Sequence, residues 1–478
     1  MWPRSVAPLA LVVLVAACSV GPDYRKPEVP VATTFKEAGD WKVAEPRDDL
    51  ARGPWWERYG DPVLSQLELD VTAANQDLAA AEARFRQARA LVTQAHADWW
   101  PTLTIGVSAT RAKSSANLGS SFASGRTLND YAMPIEASWE VDVWGRIRRN
   151  VESNEASAQA SAADFESSRL SLQAALASDY FQLHALDAQR RLFDETVAAF
   201  ERSLTLTQKR FAQGVASRGD VAQAETQLES ARAQAVDLSL ARAQLEHAIA
   251  VLVGKPAGDF SLPAAPLEAT PPGVPLVIPS VLLERRPDVA SAERNAAAAN
   301  AQIGVAVAAY YPTVSLGASG GFRSSDVEDW FVWPSRIWSF GPSVTETIFD
   351  GGKRGGLTDQ ARAAYDERVA DYRKTVLAAF QNVEDQLAAL RLLEQESERQ
   401  DRAVAAAKES LRITTDQYKA GIVSYLNVVI VQAAALDNER TAVDLVGRRM
   451  VASVLLIQAL GGGWSVDDLP TTSQVATQ

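Results

Sequence analysis

Thiols, imidazoles and thioethers are scarce in this 478-residue chain, which has one cysteine, three histidines and three methionines. A lone cysteine excludes an intrachain disulfide. His96, His184 and His247 stand far apart and never at a metal-ligand spacing, so they read as ordinary structural residues. Three methionines are too few for a thioether ladder that conducts copper or silver. Basic residues are outnumbered: 47 Lys and Arg face 59 Asp and Glu, a formal net charge of -12 that argues against a nucleic-acid partner. No nucleophile stands beside a base and no phosphate loop occurs, so no enzyme site is legible. Proline and glycine are absent from Arg146 to Gln208 and again from Leu357 to Ala420, which excludes a chain of short globular elements there.

The apolar run from Val6 to Ala17 is too short to span a bilayer as a helix but suits a secretory signal. It ends in Leu14-Val15-Ala16-Ala17-Cys18, which resembles a bacterial lipobox except that Val15 replaces the usual leucine. Residues 1–17 then form the signal peptide, and Cys18, carrying a covalent lipid, becomes the mature N-terminus; no other cofactor is expected. The alternative is a plain signal peptide with an incidental cysteine. In similar lipoproteins a residue such as Ser19 implies delivery to the outer membrane.

The chain contains itself twice. Trp100-Pro101-Thr102-Leu103 recurs as Tyr311-Pro312-Thr313-Val314, an offset of 211 residues. Arg210-Phe211-Ala212-Gln213-Gly214-Val215 recurs as Gln417-Tyr418-Lys419-Ala420-Gly421-Ile422, an offset of 207, so a loop between the two motifs changes length. Each copy opens with two alternating segments, the period of a half-buried strand. Leu103, Ile105, Val107 and Ala109 share one face, then Met133, Ile135, Ala137, Trp139, Val141 and Val143. The second copy offers Val314, Leu316, Ala318 and Phe322, then Trp338, Phe340, Val344 and Ile348, with Glu346 breaking the last stripe. Lys113 to Asp130 and Ser324 to Ser335 read as loops. Aromatic residues near the strand ends fit the interfacial girdle of a membrane barrel. Four strands cannot close such a barrel alone, so several chains must share it. A soluble sandwich is the alternative.

After each strand pair the expectation is a helix on the order of 95 Å long at 1.5 Å per residue. Tyr365, Val369, Tyr372, Val376, Ala379, Val383, Leu390 and Leu393 repeat as in a coiled coil, with Gln386 as one polar position. Phe193, Val197, Phe200, Leu204 and Phe211 do the same in the first copy. Turns at Gly214 to Asp220 and Gly421 to Asn427 send each helix back antiparallel. The fold class is therefore mainly α with a small β part: long antiparallel coiled-coil hairpins and four strands per chain, contributing to a shared transmembrane barrel, in tandem duplicate. The divisions are a lipid-anchored leader at 18–60, a first repeat at 61–254, a Pro-rich linker at 255–280, a second repeat at 281–463 and a tail at 464–478. A periplasmic coiled-coil structural lipoprotein remains the alternative.

Cys18-Ser19-Val20-Gly21-Pro22-Asp23-Tyr24, Trp55-Trp56 with Asp61-Pro62, and Pro279 to Val289 with Glu284-Arg285-Arg286-Pro287-Asp288 resemble the TolC-like outer-membrane factors. The resemblance is to the lipoprotein (NodT-type) branch that serves resistance-nodulation-division efflux pumps, and it spans nearly the whole mature chain. It implies a homotrimer with a twelve-stranded barrel and a helical tunnel meeting a periplasmic adaptor and an inner-membrane pump. It also implies a tip gate near Arg218, Asp220, Asp416 and Tyr418. Asn427 and Ile430 depart from the pattern, because several relatives carry acids there; apolar closure or Asp416 would then serve the constriction. A type I protein-secretion duct shares this architecture. A periplasmic adaptor, with one hairpin, does not.

Overall fold

The computed structural model describes residues 19–32, 34–38, 54–117, 125–267, 270–273 and 284–476. Cys18, the signal segment and positions 279–283 lie outside them. The helices are α1 (Pro62–Ala74), α2 (Gln76–Ala97), α3 (Arg146–Ala212), α4 (Arg218–Leu252), α5 (Pro287–Ala308), α6 (Lys353–Lys419), α7 (Tyr425–Ala459) and α8 (Thr472–Ala476). The strands are β1 (Thr102–Ile105), β2 (Ser108–Lys113), β3 (Thr127–Val141), β4 (Thr313–Ser324) and β5 (Arg336–Thr345). Helices α3 and α6 are each 67 residues long, about 100 Å at the α-helical rise. The offset of 211 still relates the ends of β2 and β4, and 207 relates the starts of α3 and α6. The length change therefore falls in the loop and strand between them.

One antiparallel sheet runs β1-β3-β4-β5, with β2 also on β3. β1 and β2 are a single rail in one register: Ile105 faces Ile135 and Ser108 faces Ala132. The break falls opposite Pro134, which accepts from Gly106 N at 3.0 Å but has no N–H to return. The last strand ends at Thr345, earlier than the alternation implied. Ile348 lies beyond it, and Glu346 instead accepts from Arg354 at 3.1 Å.

The main core sits midway along the hairpins and joins Trp55, Trp56, Leu64, Leu176, Phe181, Tyr372, Val376, Leu387 and Leu445. The coiled-coil stripe of α6 needs one correction. Leu387 is fully buried, whereas Gln386 is half-exposed, so the stripe steps from Val383 by four and avoids the amide. In the first hairpin Phe193, Phe200, Leu228, Ala231 and Ala235 pack together. Phe211, expected in that stripe, is exposed at the end.

Two straps cross one face of the hairpins. Between the repeats, Ala265 N donates to Asp187 at 3.1 Å and Arg242 donates to Leu262 O at 2.7 Å. His184 Nδ1 lies 2.6 Å from Ala265 O and 3.4 Å from Asp187, within reach of both acceptors. The leader crosses α6 with Phe35 beside Phe380, and Lys36 N and Glu37 N donate to Glu384 at 2.7 and 2.9 Å. Higher up, Gly21 (φ 95°) passes so close to Gly304 that a Cβ would stand 2.5 Å from its Cα. Asp23 meets Arg149 at 2.9 Å and Tyr24 donates to Glu293 at 2.5 Å. Asp61 caps α1 and accepts from Tyr180 at 2.6 Å, and Arg286 pairs with Asp288 at 2.6 Å before Pro287 opens α5. The described parts of the family-like motifs are thus packing and capping devices.

Candidate functional site

The sheet has two chemically distinct faces. Rows set by the register place Ala137, Ala318 and Phe340 together, then Trp139, Leu316 and Pro342, then Val141, Val314 and Val344. The opposite face carries Thr104, Glu136, Ser138, Ser315, Ser319, Ser339 and Ser343, with Ser315–Ser343 and Ser319–Ser339 hydroxyl pairs at 2.8 Å. Leu103, Ile105, Trp338, Phe340 and Val344 leave 66–81% of their surface uncovered. From Met133 to Val141 the apolar band spans about 27 Å along the strand at 3.4 Å per residue, or about 21 Å in height at the strand tilt of a membrane barrel, close to that of its outer band. Aromatic groups mark both rims. Tyr131, Trp330, Phe331 and Phe322 form a chain of ring contacts at the loop end. At the helix end Trp144 stacks on Tyr311 at 4.8 Å, and the Trp139 and Trp144 indoles donate to backbone carbonyls at 3.0 and 2.8 Å. No described helix is long and apolar enough to cross a membrane.

The other end of the molecule is a pair of turns built alike. Val215 N donates to Arg210 O and Ile422 N to Gln417 O, both at 2.9 Å, around Gly214 and Gly421 at φ 75° and 78°. Asp220 closes a capping box: Ser217 N and Oγ donate to its carboxylate at 2.8 and 2.9 Å, and Asp220 N donates back to Ser217 Oγ. Asp416 is exposed and, among the described residues, pairs along its own helix, with Lys419 at 3.3 Å and Arg412 at 3.6 Å. Arg218, Asn427 and Ile430 are exposed, and Asn427 donates to Ser424 Oγ at 3.3 Å. Tyr418 is buried and packs against Tyr425 at 5.4 Å. The guanidinium of Arg210 covers the Tyr418 ring at 4.6 Å and donates to the carbonyls of Tyr418 and Lys419 at 3.1 and 3.2 Å.

A family model described as outer membrane efflux protein matches residues 70–255 and 278–462, one block in each repeat. The toluene efflux pump outer membrane protein TtgC of Pseudomonas putida is 32% identical over 466 residues, 96% of each chain. The pyoverdine export outer membrane protein OpmQ of Pseudomonas aeruginosa is 31% identical over 477 residues, 98% of each chain. The solved outer-membrane channel OprN superposes with a TM-score of 0.87 at 28% identity, over 94% of this chain and all of that one. The chain belongs to the outer membrane efflux protein family. It is an outer-membrane exit duct and not an enzyme, and its helices extend into the periplasm.

Within this efflux protein the structure brings Tyr418 into contact with the first hairpin. It leaves Arg218, Asp416, Asn427 and Ile430 on the tip surface and commits Asp220 to its own helix. Arg210, Ser203 and Tyr425 were missed. Ser203 Oγ and the Tyr425 hydroxyl are 3.1 Å apart across the two hairpins. The available signal for Arg210 was asymmetry of the repeat, because its counterpart is Gln417.

Proposed function

We propose that this duct is a lipid-anchored homotrimer serving a tripartite pump of the resistance-nodulation-division type. One observation carries the reading. Among the described residues the apolar-faced sheet ends on two unpaired edges, β1 with β2 on one side and β5 on the other. In hydrocarbon each unpaired backbone group costs several kcal/mol. Strand directions alternate across the sheet, so β5 of one copy meets β1 of the next antiparallel, and three copies complete twelve strands. The serine, threonine and glycine face then lines a wet passage suited to small solutes, with selection made upstream.

The start of the described chain supports the anchor. Val20 N donates to Trp144 O at 3.1 Å, and Ser19 packs on Gly145, both at the aromatic rim of the sheet. A lipid on Cys18, one residue away, reaches the bilayer from there. The tip supports a periplasmic adaptor. Val215 and Ile422, equivalent by duplication, are 62% and 72% exposed on the two turns and present paired apolar knobs to a partner hairpin. Gating at the tip belongs to the same reading, through the contact of Tyr418 with the first hairpin rather than through Asp220 and Asp416, whose bonds stay within their own helix ends.

The test is the detergent-solubilised mass and lipid labelling of the wild type against Cys18→Ala. A trimer whose label disappears in the variant is expected, and a wild-type monomer overturns the shared barrel. Adaptor co-purification with Val215→Asp/Ile422→Asp tests the tip separately; undiminished recovery removes the knobs from the interface.

A further inference from the structure

We propose that the outward face of the sheet holds a specific site for a phosphorylated, multiply acylated glycolipid of the outer leaflet. Ile135, Gly320 and Trp338 share one row of that face, and Met133, Phe322 and Arg336 form the next row toward the loops. These two rows, with Gly321 and Ile337 of the row between them, border an open hollow of about 400 Å³. Its floor is Gly320, where a Cβ would meet nothing within 4 Å. Neither a left-handed backbone nor crowding demands glycine there, so the missing side chain leaves space on an otherwise bulky surface. The first repeat has Ala109 at the equivalent position.

Arg336 stands at the loop-side rim of the hollow. Its guanidinium lies over the Trp333 ring at 3.1 Å, and it has no carboxylate partner among the described residues. Arg323, by contrast, is neutralised by Asp130 at 2.8 Å. An uncompensated guanidinium at the edge of a lipid-facing surface matches a phosphate. The two rows are about 7 Å apart along the strand. A ligand must therefore carry an anionic group directly above an acyl chain. The helices occupy the opposite end of the sheet, so this rim faces the outer leaflet, where phosphorylated glycolipid is the abundant lipid of that shape. The hollow lies within β3, β4 and β5 of one chain, and assembly at the sheet edges leaves it open to lipid.

The experiment titrates the purified protein in detergent with lipid A and counts bound lipid by native mass spectrometry. The wild type and Ala318→Leu, a bulky change one row away, are expected to bind equally. Gly320→Leu fills the hollow and Arg336→Gln removes the charge, and each is expected to weaken binding about tenfold or more. Dephosphorylated lipid A is expected to bind the wild type as weakly as lipid A binds Arg336→Gln, and an equal concentration of phosphatidylglycerol should not displace lipid A. Unchanged binding by Gly320→Leu overturns the site. If that variant fails to assemble, unchanged binding by Arg336→Gln overturns it. Displacement by phosphatidylglycerol overturns the glycolipid assignment, reducing the surface to a general anionic-lipid contact.

Discussion

Replacing Arg210 by glutamine, the residue its own duplicate carries, should loosen the tip without unfolding the molecule. Arg210 of the first hairpin grips the end of α6 through two carbonyl hydrogen bonds at 3.1 and 3.2 Å and one ring contact at 4.6 Å, beside a Thr207 hydroxyl 3.5 Å from that of Tyr418. Each bond contributes about 0.5–1.5 kcal/mol net, and the ring contact about 0.5–1 kcal/mol at a partly exposed site. The terms are coupled and overlap, which gives about 2 kcal/mol for the clasp. If opening separates the two hairpins, the open fraction rises about 30-fold. The assay is single-channel conductance of the purified protein in planar bilayers, with heat unfolding as the control. Asp220→Ala and Asp416→Ala make the comparison sharp, since the bonds of both carboxylates stay within one helix end. Unchanged opening in Arg210→Gln, with either aspartate variant opening freely, would refute the reasoning.

Three further outcomes follow from the core. Glu68 is fully buried with neither carboxylate oxygen bonded, and burial pushes it up to about 9. Such an acid is tolerated below its unfolded value of about 4.3 and destabilises progressively as pH rises toward 9. Glu68→Met should therefore be more heat-stable than wild type at pH 8, by up to about 5 kcal/mol, with a much smaller gain near pH 4, where only an unbonded neutral carboxyl is removed. Burial also raises Asp187, but His184, Arg242 and the Ala265 N–H outweigh it and hold this carboxyl below the ordinary range. Its contribution is present above about pH 3.9 and lost as pH falls through the depressed value. Asp187→Asn should cost about 3–5 kcal/mol at pH 7 in denaturant unfolding, the gap closing only in strong acid. Leu387→Ala should cost about 2–5 kcal/mol, whereas Gln386→Ala should stay within about 0.5 kcal/mol, which thermal melts of the two variants will separate.

What the sequence revealed, and what it hid, follow from the range of the forces involved. Strand faces were legible because alternation is a local property: Met133, Ile135, Ala137, Trp139 and Val141 of β3 and Val314, Leu316, Ala318 and Phe322 of β4 share the face that their parity assigns. The interruption at Gly106 was hidden because its cause, Pro134, lies across the ladder rather than along it. Gln386 illustrates the tolerance of a heptad. A helix can step by four instead of three, and burying Leu387 at no polar cost outweighs keeping strict register.

The tip shows the same rule in a sharper form. Asp220 attracted attention as a charge at a constriction, yet Ser217-Arg218-Gly219-Asp220 is also a capping box written in four consecutive residues, and the local bonds claim the carboxylate. Arg210 drew no attention because its partners, the carbonyls of Tyr418 and Lys419, are backbone groups about two hundred residues away that carry no sequence signature. The duplication reduces this blindness. The two copies of the turn share the bonds that close it around Gly214 and Gly421, so a functional specialisation should appear as a difference between copies: Arg210 against Gln417 and Phe211 against Tyr418, and in the sheet Gly320 against Ala109. Arg210 and Tyr418 differ from their duplicates at the place where the two halves of the chain meet each other, which makes comparison of the repeats a sharper guide to function here than charge alone.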